Sequence, residues 1–157
     1  LRRKYRLRWY GHDLGNIEKA QMEVKQRENE LGSKIVKKVE GLQWADTIRL
    51  FDHDYPHDAP LRPALINTYF RSYFGTRNGR FRITIDRNQA FLPLANRVLP
   101  EKNWLTKTTL PYKDEAYIME LKYGAEFDQE AQQIMYYLPF RQSRNSKYVN
   151  GLANLGL

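Results

Sequence analysis

The feature that most constrains the fold is an alternation of ionic residues with apolar or aromatic ones. The stretch YRLRWYG places Arg6 and Arg8 between Tyr5, Leu7 and Trp9. Successive side chains of a β-strand point to opposite faces of a sheet, so this segment is predicted to be a strand with one cationic face. A single cationic face could simply lie in water. The question is therefore whether other strands repeat the pattern.

Four further segments repeat this alternation. In AQMEVKQR, Glu23, Lys25 and Arg27 alternate with Met22 and Val24. The other ionic faces are predicted to carry Tyr69 with Arg71; Arg80 with Arg82, Thr84 and Asp86, opposite Phe81, Ile83 and Ile85; and Glu120 with Lys122, opposite Met119 and Leu121. The sequence therefore predicts an antiparallel sheet whose strands each have an apolar face and an ionic face.

The order of the segments predicts an α+β fold. Strands are expected over residues 4–10, 20–27, 64–74, 79–87 and 115–124, and helices over 126–140 and at the end of 143–155. Residues 33–54 are predicted to be mostly helical, because Ile35, Val36 and Val39 begin an imperfect helical stripe. The Pro-rich stretch 91–111 is expected to be a connection whose apolar start pairs as a short strand.

Two architectures remain open for these strands. In the first, the apolar faces cover a core and the ionic faces lie in water. In the second, helices cover the apolar faces and the sheet curls into a barrel with a basic lumen. Two like charges about 7 Å apart repel by roughly 2 kcal/mol at an effective dielectric constant near 20. A basic lumen would therefore need a polyanion, acidic neighbours or much water, and it is suited to a chain of phosphates.

The bulk composition agrees with an anionic partner. The 157 residues carry a formal net charge of +8, which suggests nucleic acid, an acidic membrane or a polyphosphorylated ligand. The chain has no cysteine, which excludes disulfides and thiolate chemistry. It has no apolar run of membrane-spanning length. The 11 tyrosines could stack on nucleobases, but packing between sheet and helices is the preferred interpretation.

Other motifs give weaker signals. The stretch DHDYPHD, residues 52–58, has two His and three Asp, but its spacing matches no established zinc pattern, and Pro56 favours a loop. GTRNGR lacks the Gly-Lys-Ser/Thr ending of a phosphate-binding loop and is predicted to be a hairpin turn. Neither motif is therefore assigned a function.

Five stretches together carry a resemblance to a known family: RLRWYG, MEVKQR, YFRSYF followed by RFRITID, IMELKYG and SRNSKYVNGL. In this order they resemble the motifs of the VTC domain, the polyphosphate polymerase domain of the vacuolar transporter chaperone family. That family is a branch of the triphosphate tunnel metalloenzymes. The resemblance implies a closed antiparallel tunnel with a basic lumen, flanked by helices. It further implies a single domain over residues 1–157 that lacks the N-terminal strand or strands found upstream in family members.

The resemblance also implies site residues. Catalytic roles are expected for Arg6, Arg8, Lys25, Arg71, Arg82 and Lys122, phosphate binding for Tyr69, Arg144, Ser146 and Lys147, and metal binding for Glu120. Arg144 stands where the family pattern has a lysine, a change that keeps the charge but alters the geometry.

The implied activity is metal-dependent transfer of the terminal phosphate of ATP to a polyphosphate chain, with Mn²⁺ or Mg²⁺ as cofactor. The expected partners are ATP and inorganic polyphosphate or pyrophosphate, without specific nucleic acid. An upstream segment or a partner chain is expected to complete the barrel. A cytoplasmic location is expected, either free or as the cytosolic part of a larger or membrane-associated protein. The alternatives are a triphosphate hydrolase on the same fold and a non-catalytic module that binds polyphosphate or nucleic acid.

Overall fold

The computed structural model describes residues 2–11, 16–28, 31–43, 46–47, 61, 63–94 and 112–156. It divides the chain into two compact units, Leu1–Pro63 with Asn96–Lys107, and Ala64–Ala95 with Thr108–Leu157. Each unit has its own antiparallel sheet, and the second also has short helices. The chain is therefore of mixed α+β class, as the sequence predicts.

The first unit has a three-stranded sheet in the order β1-β2-β3. Its strands are β1 (Arg2–Trp9), β2 (Asn16–Glu28) and β3 (Leu31–Gln43). Alternation along β2 buries Met22 and Val24 on the apolar face, as predicted. At the end of the sheet, Ile17, Ala20 and Leu42 form a small core against Leu7, Trp9 and Val39.

Strand β3 contradicts the helix predicted over residues 33–54 in its first part, residues 33–43. Pairing with β2 keeps one register from Glu28 opposite Leu31 to Asn16 opposite Gln43, so the backbone groups along that edge of β3 bond to β2 and not within a helix. Ile35, Val36 and Val39 are β-branched and favour a strand over a helix. Asp46 and Thr47 are described beyond β3, and the rest of the predicted helix, like the stretch 52–58, lies outside the described residues.

The second unit is built on a long central strand. Strand β5 (Phe81–Pro93) pairs along one edge with β4 (Leu65–Gly75). Along its other edge it pairs first with β7 (Ile118–Tyr123) and then with β6 (Tyr112–Asp114). The β4–β5 turn is the predicted one: Gly79, with a φ of 70°, donates its N–H to the Thr76 carbonyl at 3.0 Å. The apolar start of the Pro-rich connection is part of β5, so that expectation is confirmed.

A β-bulge divides β5. Asn88 and Gln89 together oppose Tyr69 alone, since Arg87 pairs with Phe70 and Ala90 pairs with Thr68. Asn88 has a φ of 50°, a left-handed conformation that asparagine tolerates better than most residues. Because of the extra residue, Asp86 and Phe91 lie on the same face although five positions separate them.

Helices pack on both faces of this second sheet. A 3₁₀ turn (Ala125–Phe127) leads into α1 (Asp128–Tyr136), and the ring of Phe127 lies 6.0 Å from that of Phe81 on the apolar face. Helix α2 (Lys147–Leu155) packs on the opposite face, where buried Gly151 lies against Phe91 and Leu65. Arg80 belongs to the turn, and its guanidinium contacts Phe127 and Glu130, so the prediction that it shares the ionic face of β5 is wrong.

Neither sheet closes into a barrel within the described residues, so the predicted tunnel is not observed in the pairing. The expectation of a single domain over residues 1–157 stays a prediction. Over the part of the chain that the structure describes, no helix is both long and apolar enough to cross a membrane.

Candidate functional site

The ionic face of the first sheet, here called the Glu23 face, surrounds one carboxylate with cations. The register aligns Lys4, Lys25 and Lys34 in one row across the three strands, and Arg8, Gln21 and Lys38 in another. Glu23 lies in the row between them, directly opposite Arg6. These three rows therefore place six cations around Glu23. Like charges on neighbouring strands repel, so the arrangement favours an added anion.

Glu23 is the central acceptor of this face, and its side chain is only 1% exposed. Its Oε2 accepts a hydrogen bond from Arg6 Nε at 2.9 Å and another from Arg6 Nη2. Its Oε1 lies 3.0 Å from Lys34 Nζ and 3.9 Å from Arg8 Nη1. Burial alone would raise the pKa of Glu23, but the bonds from Arg6 and Lys34 outweigh it and lower the pKa to about 2. Glu23 is therefore a carboxylate at every physiological pH.

The ionic face of the second sheet, here called the Asp86 face, has a similar centre. Arg71 on β4 lies directly opposite Asp86 on β5 and donates from Nε to Oδ1 at 2.5 Å and from Nη2 to Oδ2 at 2.7 Å. Lys147, the first residue of α2, places its Nζ 2.6 Å from Oδ2. Burial would raise the pKa of Asp86, but the bonds from Arg71 and Lys147 lower it. The hydrogen bonds that Arg71 donates to Asp86 raise the pKa of Arg71 in turn.

Tyr69 joins the two cations of this cluster. Its ring lies 5.2 Å from Arg71 Cζ and 5.0 Å from Lys147 Nζ, both within cation–π range. The guanidinium of Arg71 also lies 6.0 Å from the ring of Tyr73. The Tyr69 ring therefore helps to fix both cations, and the phosphate contact predicted for Tyr69 stays a prediction.

Next to this cluster, β7 adds a carboxylate and a further cation. Glu120 pairs with Thr84 and Lys122 with Arg82, so all four lie on the Asp86 face. Glu120 Oε1 lies 3.2 Å from Lys122 Nζ, and Thr84 Oγ1 donates to Oε2 at 3.5 Å. Arg82 is exposed and has no ion-pair partner among the described residues. A guanidinium without a carboxylate partner retains all its donors for an anion.

The donor set near Glu120 is compatible with a hard divalent cation that is also bound by phosphate. Glu120 and Thr84 present only oxygen atoms, and the Glu120 side chain is about half exposed. Among the residues that the structure describes, no three potential metal-ligating side chains form a cluster. Mg²⁺ and similar ions are commonly held by one or two carboxylates together with substrate phosphates, and Glu120 fits that type of site.

The C-terminal segment divides its predicted residues between two roles. Ser146 is the N-cap of α2, and its hydroxyl accepts a hydrogen bond from the Val149 backbone N–H at 3.5 Å. Lys147 belongs to the Asp86 cluster. Arg144 is exposed and, within the described residues, has no ion-pair partner. The segment thus fixes one cation and leaves another accessible.

The family model of the VTC domain matches residues 1–156. The chain belongs to the VTC domain family. No curated protein and no solved structure matches the chain. The family resemblance predicted from the motifs is therefore confirmed, and membership of the VTC domain family gives the chain a polyphosphate-related function.

In this member of the VTC domain family, the predicted site residues form two groups. Arg6, Arg8 and Lys25 share the Glu23 face, and Tyr69, Arg71, Arg82, Glu120, Lys122 and Lys147 share the Asp86 face. Sequence reasoning missed Lys34 and Lys38 because it treated β3 as a helix. It placed Glu23 and Asp86 on the ionic faces but gave them no role. The signal available in the sequence was an acidic residue on the same predicted strand face as the arginines of neighbouring strands.

Proposed function

We propose that the chain is a polyphosphate polymerase domain that transfers the terminal phosphate of ATP to a polyphosphate chain. The observation that supports this most directly is the Asp86 face, where the cations Arg71, Arg82, Lys122 and Lys147 and the carboxylate Glu120 come together in a VTC family member. A surplus of cations beside one accessible carboxylate is what a triphosphate and its metal require.

The cations would bind the phosphates and neutralise charge as it develops. Arginine offers a planar fork that fits two phosphate oxygens, and lysine adds a compact charge. Arg82, which is exposed and has no carboxylate partner in the part of the chain that the structure describes, is the proposed direct contact on the second sheet. The cations of the Glu23 face, Arg6, Arg8 and Lys25 among them, would also bind phosphate oxygens.

The reaction would be an in-line phosphoryl transfer. A terminal oxygen of polyphosphate attacks the γ-phosphorus of ATP, and a new P–O bond forms. The bond to the β–γ bridging oxygen breaks, and its electron pair leaves with ADP. Glu120 would hold the divalent cation, which when bound supplies charge stabilisation at the phosphate oxygens. The protein's own contribution is to orient the phosphates and neutralise their charge.

The proposal includes the closed basic tunnel of the triphosphate tunnel fold. A closed basic passage would retain a growing chain, and the anion would offset the repulsion between the cations.

Supplying ATP with Mn²⁺ and analysing the products tests the function itself. We expect long-chain polyphosphate to form, with one ADP released for each phosphate added to it. Arg82→Ala should weaken tripolyphosphate binding by roughly 10- to 150-fold, because a charge-assisted hydrogen bond contributes about 1.5–3 kcal/mol. Arg77→Ala, an exposed arginine in the β4–β5 turn, is the matched control.

Each alternative function gives a different product pattern. Release of free phosphate without polyphosphate would identify a triphosphate hydrolase. Tight binding of tripolyphosphate without turnover would identify a non-catalytic module. Binding of RNA or DNA in preference to tripolyphosphate would contradict the proposed substrate class.

A further inference from the structure

Among the described residues, Asp86 is the one carboxylate of its face that contacts cations from two different elements. Its side chain is 2% exposed, and both carboxylate oxygens are occupied. Arg71 belongs to β4, whereas Lys147 is the first residue of α2. The carboxylate therefore links the sheet to the helix that packs on it.

The geometry leaves donors of both cations for another anion. Arg71 uses Nε and Nη2 on Asp86, so three of its five guanidinium N–H donors have no partner among the described residues. Lys147 uses one of its three N–H donors on the same carboxylate. A ligand that reached the remaining donors would meet cations that already have a fixed separation and direction.

The rest of the cluster supports this function of Asp86. The ring of Tyr69 contacts both cations, and Gly151 allows α2 to approach the sheet closely at Phe91. The two cations are thus restrained by an ion pair on one side and by packing on the other. Because the cations are already ordered, binding a phosphate costs less conformational entropy than it would with two mobile side chains.

We propose that Asp86 is a positioning residue for phosphoryl transfer: it fixes Arg71 and Lys147 relative to each other so that their free donors bind a transferring phosphate. This inference rests on the proposed function. Asp86 contacts no phosphate itself, since a carboxylate would repel one. Its effect is transmitted through the two cations.

The variant Asp86→Asn separates positioning from binding. Removal of a negative charge from a cationic site should leave tripolyphosphate affinity equal to wild type or tighter. Turnover with ATP and Mn²⁺ should fall about 100-fold, because the cations lose their common partner and displacements of about 1 Å cost that much. Asp86→Glu keeps the charge but has a side chain longer by one methylene, so its turnover should lie between that of wild type and that of Asp86→Asn.

Calorimetric binding of tripolyphosphate, the kcat and the urea midpoint are measured on each protein, with Asp114→Asn on β6 as the matched control. A merely structural residue would lower affinity, kcat and stability together in Asp86→Asn, and that result would overturn the inference while leaving the function intact. If Asp86→Asn does not fold, Asp86→Glu decides: turnover within twofold of wild type would overturn the inference. A wild type that makes no polyphosphate would overturn both proposals.

Discussion

Replacement of Glu23 by glutamine tests the central ion pair of the first sheet. The pKa of Glu23 falls from 4.5 to about 2 in the folded protein, and each unit of pKa difference corresponds to about 1.4 kcal/mol. The ionised carboxylate should therefore contribute about 3 kcal/mol to the free energy of unfolding at pH 7. Glu23→Gln removes that contribution and leaves Arg6, Arg8 and Lys34 without their common acceptor.

The pH dependence follows from the sign of the shift. Because the folded pKa is the lower one, the contribution is complete above pH 4.5 and is lost as the pH falls toward 2. Urea unfolding at pH 7, 5 and 3 should show Glu23→Gln less stable than wild type by about 3 kcal/mol at pH 7, with the difference shrinking by pH 3. Glu18→Gln, at an exposed position of the same strand, is the control.

Added tripolyphosphate extends this test. It should recover more stability in Glu23→Gln than in wild type, because the variant has one more uncompensated cation. A stability difference that stays constant from pH 7 to pH 3 would show that the carboxylate charge does not stabilise the sheet. Our account of the Glu23 face would then be wrong.

Three further predictions concern the second sheet and the whole cationic surface. Tripolyphosphate at 100 times its Kd should raise the free energy of unfolding by about 2.7 kcal/mol. Sulfate at equal ionic strength should raise it less, and equal effects would indicate only general screening. Glu120→Gln should abolish turnover while tripolyphosphate still binds, and wild-type turnover at saturating Mn²⁺ would instead make Glu120 a charge-balancing residue. Gly151→Ala should lower the Tm, because its Cβ would lie 2.6 Å from Phe91 Cδ1. The control Asn154→Ala, at an exposed position of the same helix, should not lower the Tm. A Gly151→Ala variant more stable than wild type would refute the close packing of α2.

Alternation was sufficient to predict most of the sheets. The strands around Arg6, Lys25, Arg71, Arg82 and Glu120 form as predicted, because a period of two is a local property that a single segment displays. Pairing between strands is not local, and β3 shows the consequence. Its Lys-rich sequence has no clean alternation, and only the continuous ladder with β2 makes it a strand.

The candidate site was predictable in its cations but not in its ion pairs. Which acid lies opposite which arginine depends on register, and register cannot be read from one strand alone. The pairing of Arg71 with Asp86 therefore appears only in the structure. The contact of Lys147 with Asp86 is a further step away, because it depends on how closely α2 approaches the sheet at Gly151.

The bulge at Asn88 determines how the length of this chain can vary. Without the extra residue, the ladder between β4 and β5 would run on regularly, with Phe70 opposite Arg87 and Thr68 opposite Ala90 as before. Losing one residue at this point would therefore keep Asp86 and Phe91 on the same face and would only straighten the strand. Loss of one residue between Phe81 and Asp86 would instead move the side chains on one side of the deletion to the opposite face of the sheet. A gap in β5 among related sequences should accordingly fall at residue 88 and its immediate neighbours.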